Sequence, residues 1–133
     1  MSNYRLRLAQ LALENMPFPL HQTRTVLDLH AADGATTQYL QYFMPYSTVF
    51  GLTMGSPNHT LAQCGQRYLT ALPNGFQCDC VVAIVEPSQP MEPTLEAIRG
   101  IGARWELIVA PWQTAQVVDW QSLGYQAHNA ITD

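Results

Sequence analysis

The chemistry-bearing side chains of this sequence gather in one turn, Asp28-Leu29-His30-Ala31-Ala32-Asp33-Gly34-Ala35. Ala31, Ala32, Gly34 and Ala35 are small enough to let backbone approach a ligand closely. Asp28 could anchor the turn or meet a cationic group. His30 could stack on a ligand or hydrogen-bond to it, although a loop histidine with no special task is the commoner case. Farther along, Glu86 lies two residues past Ile84, and Pro87 directly after it favours a loop over a continued strand. Asp33, His30 and Glu86 are the local supply of acid or base around the turn.

Other reactive types are dispersed. His21, His59 and His128 have no spacing that would hold a metal, so no metal site is expected. No G-x-S-x-G nucleophile elbow occurs, which gives no support to a hydrolase. The cysteines Cys64, Cys78 and Cys80 are odd in number, and Cys78 and Cys80 sit in an apolar run where a strand would project both to one face. They are expected as buried free thiols rather than a disulfide framework. The six basic residues are all arginines, Arg5, Arg7, Arg24, Arg67, Arg99 and Arg104. With no lysine in the chain, a mechanism that needs a desolvated amine as base has no residue to supply it.

The elements that must position the turn follow from apolar spacing. Ser2 to Met16 reads as an entry helix, stopped by Pro17 and Pro19. Thr25 to Leu29 reads as a strand, the turn follows, and Thr36, Tyr39, Leu40, Phe43 and Met44 recur at helical intervals up to Pro45. Ser47 to Thr53 is a second strand, and Asn58 to Leu69 a helix capped by Asn58 with Leu61, Cys64 and Tyr68 inward. Cys78 to Val85 is a near-continuous apolar run of the kind a doubly buried strand shows. A helix carrying Leu95, Ile98 and Ile101 starts near Glu92-Pro93 and ends at Gly100 or Gly102. Trp105 to Ala110 is a further strand, Thr114 to Leu123 a helix, and Tyr125 to Ile131 a last strand at an edge. This alternation predicts an α/β chain with a mostly parallel, doubly wound sheet of about five or six strands and helices on both faces.

At 133 residues and 47% hydrophobic, residues 1–133 form one domain with one compact core and are too few for two. No apolar run approaches the roughly 20 residues of a membrane span, and the first residues lack the layout of a secretory signal. A soluble cytoplasmic protein that does not enter membranes is expected. A net charge of −4 disfavours autonomous nucleic-acid binding, since nothing concentrates positive charge for a phosphate backbone. Charged residues make up 12%, well under the usual quarter or so, which points to a surface partly covered by another subunit. Trp112 and Trp120 are the expected interface anchors, in a homo-oligomer or against another protein.

The order of residues in the turn adds a resemblance. Asp28-Leu29-His30-Ala31-Ala32-Asp33-Gly34 and the following Gln38-Tyr39-Leu40 are similar to the first motif of the FtsJ-type ribose 2′-O-methyltransferases, D-L-x-A-A-P-G-G-F-S-Q-Y-L. Val49-Phe50-Gly51-Leu52-Thr53 resembles the V-x-G-I-T-L of viral and fungal branches of that family, and Asp79-Cys80-Val81-Val82-Ala83 resembles its D-L-V-V-x-D segment. The three segments occur in order and extend the resemblance over about Thr25 to Ala110.

The resemblance implies a Rossmann-like class I methyltransferase fold and an S-adenosylmethionine site. Asp28, His30, Ala31, Ala32, Asp33 and Gly34 would surround the methionine part, and Thr53, with Gly51 to Met54, would border the adenosine. The departures imply a degenerate member. Asp33-Gly34-Ala35 replaces Pro-Gly-Gly and sets a carboxylate where it would repel the cofactor's own. The fourth-strand catalytic Asp falls on Ile84, and the Lys-Asp-Lys-Glu tetrad has no lysines. No catalytic residue is therefore assigned. The expectation is a pseudoenzyme that serves as a structural or interaction module, viral in flavour by its second strand and most simply a homodimer, with S-adenosylmethionine binding retained or lost. The alternative is an active methyltransferase, on RNA ribose or another substrate, that works with a partner.

Overall fold

The computed structural model describes residues 4–15, 23–31, 34–52, 67–69, 71–72, 74–86, 89–116 and 118–125. In chain order these form α1 (Tyr4–Asn15), β1 (Thr25–Asp28), α2 (Ala35–Phe43), β2 (Thr48–Leu52), β3 (Arg67–Leu69), β4 (Gln77–Ile84), α3 (Met91–Arg99), β5 (Gly102–Val109) and a single turn of helix, α4 (Trp112–Ala115). The described strands make one sheet in the order β3-β2-β1-β4-β5, with every pairing parallel. The chain moves outward from β1 to β3, then crosses back to lay β4 against the other side of β1. The order therefore reverses between β1 and β4, and a crevice at such a reversal is where α/β sheets bind ligands.

Strand burial explains why these two strands lie at the centre. β4 is buried at every position from Cys80 to Ile84, and Val26, Leu27 and Asp28 of β1 are buried as well. On one face, Val26, Val49, Cys80, Val82, Ile84 and Leu107 pack against Ala9 and Leu13 of α1 and Leu40 of α2. On the other, Leu27, Val81 and Ala83 pack against Ile98 of α3 and Ile101. Burying side chains such as Leu27, Leu40, Ile84 and Ile98 stabilises the fold by about 2 kcal/mol each. The expected α/β layering, with helices on both faces of a five-stranded sheet, is therefore present. Among the described residues, no helix is long and apolar enough to cross a membrane.

Local chemistry sets the helix ends. α3 buries Met91, Thr94, Leu95 and Ile98, an i, i+3, i+4, i+7 stripe, and carries Glu92 in its first turn and Arg99 in its last, complementing its dipole. After α2, the Gln41 amide donates to the carbonyls of Met44 (3.1 Å) and Ser47 (2.8 Å) and accepts from Val49 N–H (3.3 Å). One side chain thus ties the end of α2 to the start of β2.

Several sequence expectations are corrected. Arg67–Leu69 is a strand rather than the end of a helix from Asn58, whose residues 58–66 lie outside the described set. Pairing decides this: Gly51 of β2 is opposite Tyr68, and the absence of a side chain there gives the Tyr68 ring its place. The helix expected from Thr114 to Leu123 stops at Ala115. The Ala115 carbonyl accepts from Val118 N–H three residues on (3.2 Å) and from the Trp120 indole N–H (2.8 Å), so it closes a tight turn in place of a further helical one. Trp120 packs beside Val85, Met91 and Leu95 and edge-on to Tyr125, so it is partly core rather than an open anchor, whereas the Trp112 side chain lies outside the described set. Tyr125 is not in a strand, and residues 126–131 of the expected last strand are also outside the description.

Cys78 and Cys80 are both buried free thiols, as expected, but they do not share a face. Cys78 joins the α3-side core and Cys80 the core beneath α1 and α2. The β4–β5 register keeps one offset through this stretch, from Cys78↔Ala103 to Cys80↔Trp105, with no Asp79↔Arg104 pair between them.

Candidate functional site

The turn after β1 lies at the carboxyl edge of the sheet, where the strand order reverses. Leu29 N–H donates to Val82 C=O of β4 (2.9 Å), and Ala31 N–H to Leu52 C=O of β2 (3.0 Å), so the turn is fastened to both neighbours of β1. Ala31 is fully buried, and its carbonyl accepts from Gly34 N–H at 2.8 Å. Gly34 precedes α2 at φ 92°, a left-handed conformation that glycine adopts without the Cβ penalty, and no side chain caps the helix there. Ala32, Asp33 and Thr53 of the expected site lie outside the described residues.

Asp28 ends β1 with no exposed surface. Its Oδ2 accepts from the hydroxyls of Thr36 (2.7 Å) and Thr37 (2.8 Å) at the start of α2. Of the two roles open to it in the sequence, the geometry provides the first: the carboxylate holds strand to helix beneath the turn. Thr36 and Thr37 are themselves buried and were not singled out as polar partners, because their spacing from Asp28 acquires meaning only once the turn closes.

His30 is half-buried and reaches the far side of the crevice. Its Nε2 lies 3.2 Å from Thr94 Oγ1 on α3 and 3.2 Å from Gln89 Nε2. Gln89 Oε1 accepts from Glu86 N–H at 3.2 Å, which orients the amide so that its NH2 faces the histidine. An amide nitrogen only donates, so Nε2 is the acceptor in the contact with Gln89. The imidazole thus braces the first turn against α3 and the loop after β4. Gln89 and Thr94 are 59 and 64 residues away in sequence, and no local signal marks them as partners of His30.

The opposite wall is set by Gly51. A Cβ at this position would stand 2.8 Å from Thr37 Oγ1, 2.9 Å from Ala31 Cβ and 2.9 Å from Tyr68 Cδ1. The bare backbone is what lets β2, β3, the turn and α2 converge. The space against Gly51 is filled by the protein itself, so a ligand would have to lie beyond it.

Charge is segregated between the two edges of the sheet. Asp28, Glu86 and Glu92 lie at the carboxyl edge. Arg24 precedes β1, Arg99 ends α3 and Arg104 is at the start of β5, all at the amino edge. That edge also holds Asp79, whose Oδ2 accepts from Arg24 N–H (2.7 Å) and Thr25 N–H (3.2 Å) while its own N–H donates to Thr25 Oγ1 (2.9 Å). An open hollow of about 560 Å³ lies there, lined in part by Thr25, Gln77, Asp79, Ile101 and Arg104. It is a broad surface depression remote from the crevice, and its Thr25 and Asp79 are engaged in stitching β1 to β4.

Ile84 is fully buried in the core beneath α1 and α2. Glu86 is half-buried beyond it at the crevice. Among the described residues no group of three or more His, Cys, Asp or Glu side chains could hold a metal ion. For S-adenosylmethionine, the left-handed turn at Gly34 and the small Ala31 fit a close backbone approach, whereas Asp28 is committed to the two threonines. Comparison with protein-family models, with curated proteins and with solved structures finds no match.

Proposed function

We propose that this chain is a methyltransferase-like α/β domain that transfers no methyl group by itself and works as an interaction module. Its crevice at the β1–β4 reversal is suited at most to an unphosphorylated nucleoside such as S-adenosylmethionine. The observation that carries the reading is that the reactive side chains of the crevice are bound into the fold: Asp28 holds Thr36 and Thr37, and His30 Nε2 accepts from Gln89. An apolar Ile84 at the family's acid position and the absence of lysine support it further. The acidic carboxyl edge supports an uncharged or cationic ligand over a phosphorylated one. If the cofactor binds, the turn from Leu29 to Gly34 and the start of α2 would hold it, and it would supply an electrophilic methyl group.

Two measurements test this. Calorimetric titration with S-adenosylmethionine and S-adenosylhomocysteine reads the crevice: micromolar binding marks a retained nucleoside site and silence a purely structural one. Incubation of the chain with radiolabelled S-adenosylmethionine and RNA reads catalysis, and no label is expected in the RNA. Methylation by the chain alone would overturn the reading, whereas methylation only after a partner is added would favour the active, partner-dependent alternative.

A further inference from the structure

Three consecutive residues of β5, Arg104, Trp105 and Glu106, are all exposed, Trp105 by 39%. A strand covered on both faces and paired along both edges could not leave them so. β5 closes the sheet, pairs with β4 along its inner side, and has no strand on its outer side among the described residues. It is eight residues long and carries neither proline nor lysine, the usual devices that keep an edge from pairing. Val85 N–H donates to Val109 C=O at 2.8 Å, which fixes the backbone of Val109 towards β4. Alternation from there turns the N–H and C=O groups of Leu107 and Trp105 towards β4 and leaves those of Ile108, Glu106 and Arg104 facing out.

We propose that this edge pairs antiparallel with β5 of a second copy of the chain, about a two-fold axis at Trp105, joining two sheets into one. The inference rests on reading the chain as an interaction module and names its partner and surface. Self-complementarity argues for a second copy. Arg104 and Glu106 flank Trp105 symmetrically, so the two-fold sets each Arg104 opposite Glu106 of the other copy, an opposite-charge pair made twice. The outward backbone groups make those two positions the hydrogen-bonded pairs. Trp105 then meets its own copy at a non-hydrogen-bonded pair, where side chains approach most closely. Glu106 Oε1 accepts from the Tyr125 hydroxyl of its own chain, which limits the carboxylate's freedom before any partner arrives. Arg104 lies over its own Trp105 ring at 5.8 Å and is exposed to a partner.

Sedimentation velocity on the intact chain tests the proposal. An edge of this size predicts a dimer with a dissociation constant on the order of tens of micromolar. Arg104→Glu and Glu106→Arg each replace two attractions with two repulsions and should weaken it roughly tenfold or more. The double variant R104E/E106R restores opposite charges at both pairs and should dimerise as the wild type does. An equimolar mixture of the two single variants should form a heterodimer. Circular dichroism confirms that each variant is folded. A chain that stays monomeric at about ten times the expected constant overturns the proposal, whether residues beyond Tyr125 or nothing at all covers the edge. A dimer indifferent to both charge reversals overturns it as well, by placing the contact elsewhere. Binding of S-adenosylmethionine is read by calorimetry at the opposite end of β1 and should be unchanged by the charge swap, so failure of the edge and failure of the crevice reading register separately.

Discussion

Replacing Gly51 by alanine adds one methyl group at the point where β2, β3, the first turn and α2 meet. The new carbon would lie within 3.0 Å of three atoms, Thr37 Oγ1 at 2.8 Å and Ala31 Cβ and Tyr68 Cδ1 at 2.9 Å each. None can withdraw easily. Ala31 is fully buried in a turn bonded to Leu52, Thr37 is fully buried and held by Asp28 at 2.8 Å, and Tyr68 is in a strand paired to Gly51 itself. Overpacking of this kind costs about 1–3 kcal/mol. If Thr37 turns aside, its bond to the carboxylate adds about 1 kcal/mol or more. Alanine regains about 0.4–1 kcal/mol by restricting the unfolded chain. The net expectation is a loss of about 2–3 kcal/mol, or a fall in melting temperature of roughly 10 °C for a chain of this size. Urea unfolding followed by circular dichroism measures it. In a Thr37→Ala background the shortest contact is gone, so Gly51→Ala should then cost about 1 kcal/mol less than it does alone. A Gly51→Ala protein within about 0.5 kcal/mol of wild type would refute the claim that this convergence is close-packed.

Two further outcomes follow from buried polar groups. Asp28→Ala leaves the Thr36 and Thr37 hydroxyls buried without their acceptor and should cost about 3 kcal/mol in urea unfolding. A Thr36→Val/Thr37→Val/Asp28→Ala triple variant should recover part of that loss, because no donor is then stranded. Burial pushes the Cys78 thiol from its ordinary 9.0 up to about 11 and the Cys80 thiol up to about 12, with Asp79 adding to both and Cys78 to the shift of Cys80. The folded state therefore keeps its protons above pH 9 while the unfolded chain loses them. The contribution of these thiols to stability is unchanged below about pH 9 and declines as pH rises towards 11 to 12. In a Cys64→Ser variant, iodoacetamide at pH 8 should label neither thiol in the folded protein and both in urea.

The sequence by itself determined the elements whose patterns are local. The apolar run from Cys78 to Val85 reads as an interior strand, and Leu95 and Ile98 at helical spacing mark α3. Asp28, Ala31 and Gly34 marked the turn after β1, because small residues between a strand and a helix serve that geometry and little else. The helix reading of Tyr68 failed because the space left by Gly51, seventeen positions earlier, decides where its ring packs. α4 ends at Ala115, whose carbonyl is shared by Val118 N–H and the Trp120 indole N–H, neither of them the i+4 donor that helical periodicity assigns. Tertiary structure alone decided what Asp28 and His30 touch. A carboxylate and an imidazole in a small-residue loop are equally suited to a ligand and to the fold, and the choice depends on what stands opposite. Folding brought Thr36 and Thr37 to Asp28, and Gln89 and Thr94 to His30, and it set Asp28, Glu86 and Glu92 at one edge of the sheet and Arg24, Arg99 and Arg104 at the other. Those partners come from separate elements, so the free energy that commits each group arises only when the sheet closes around them.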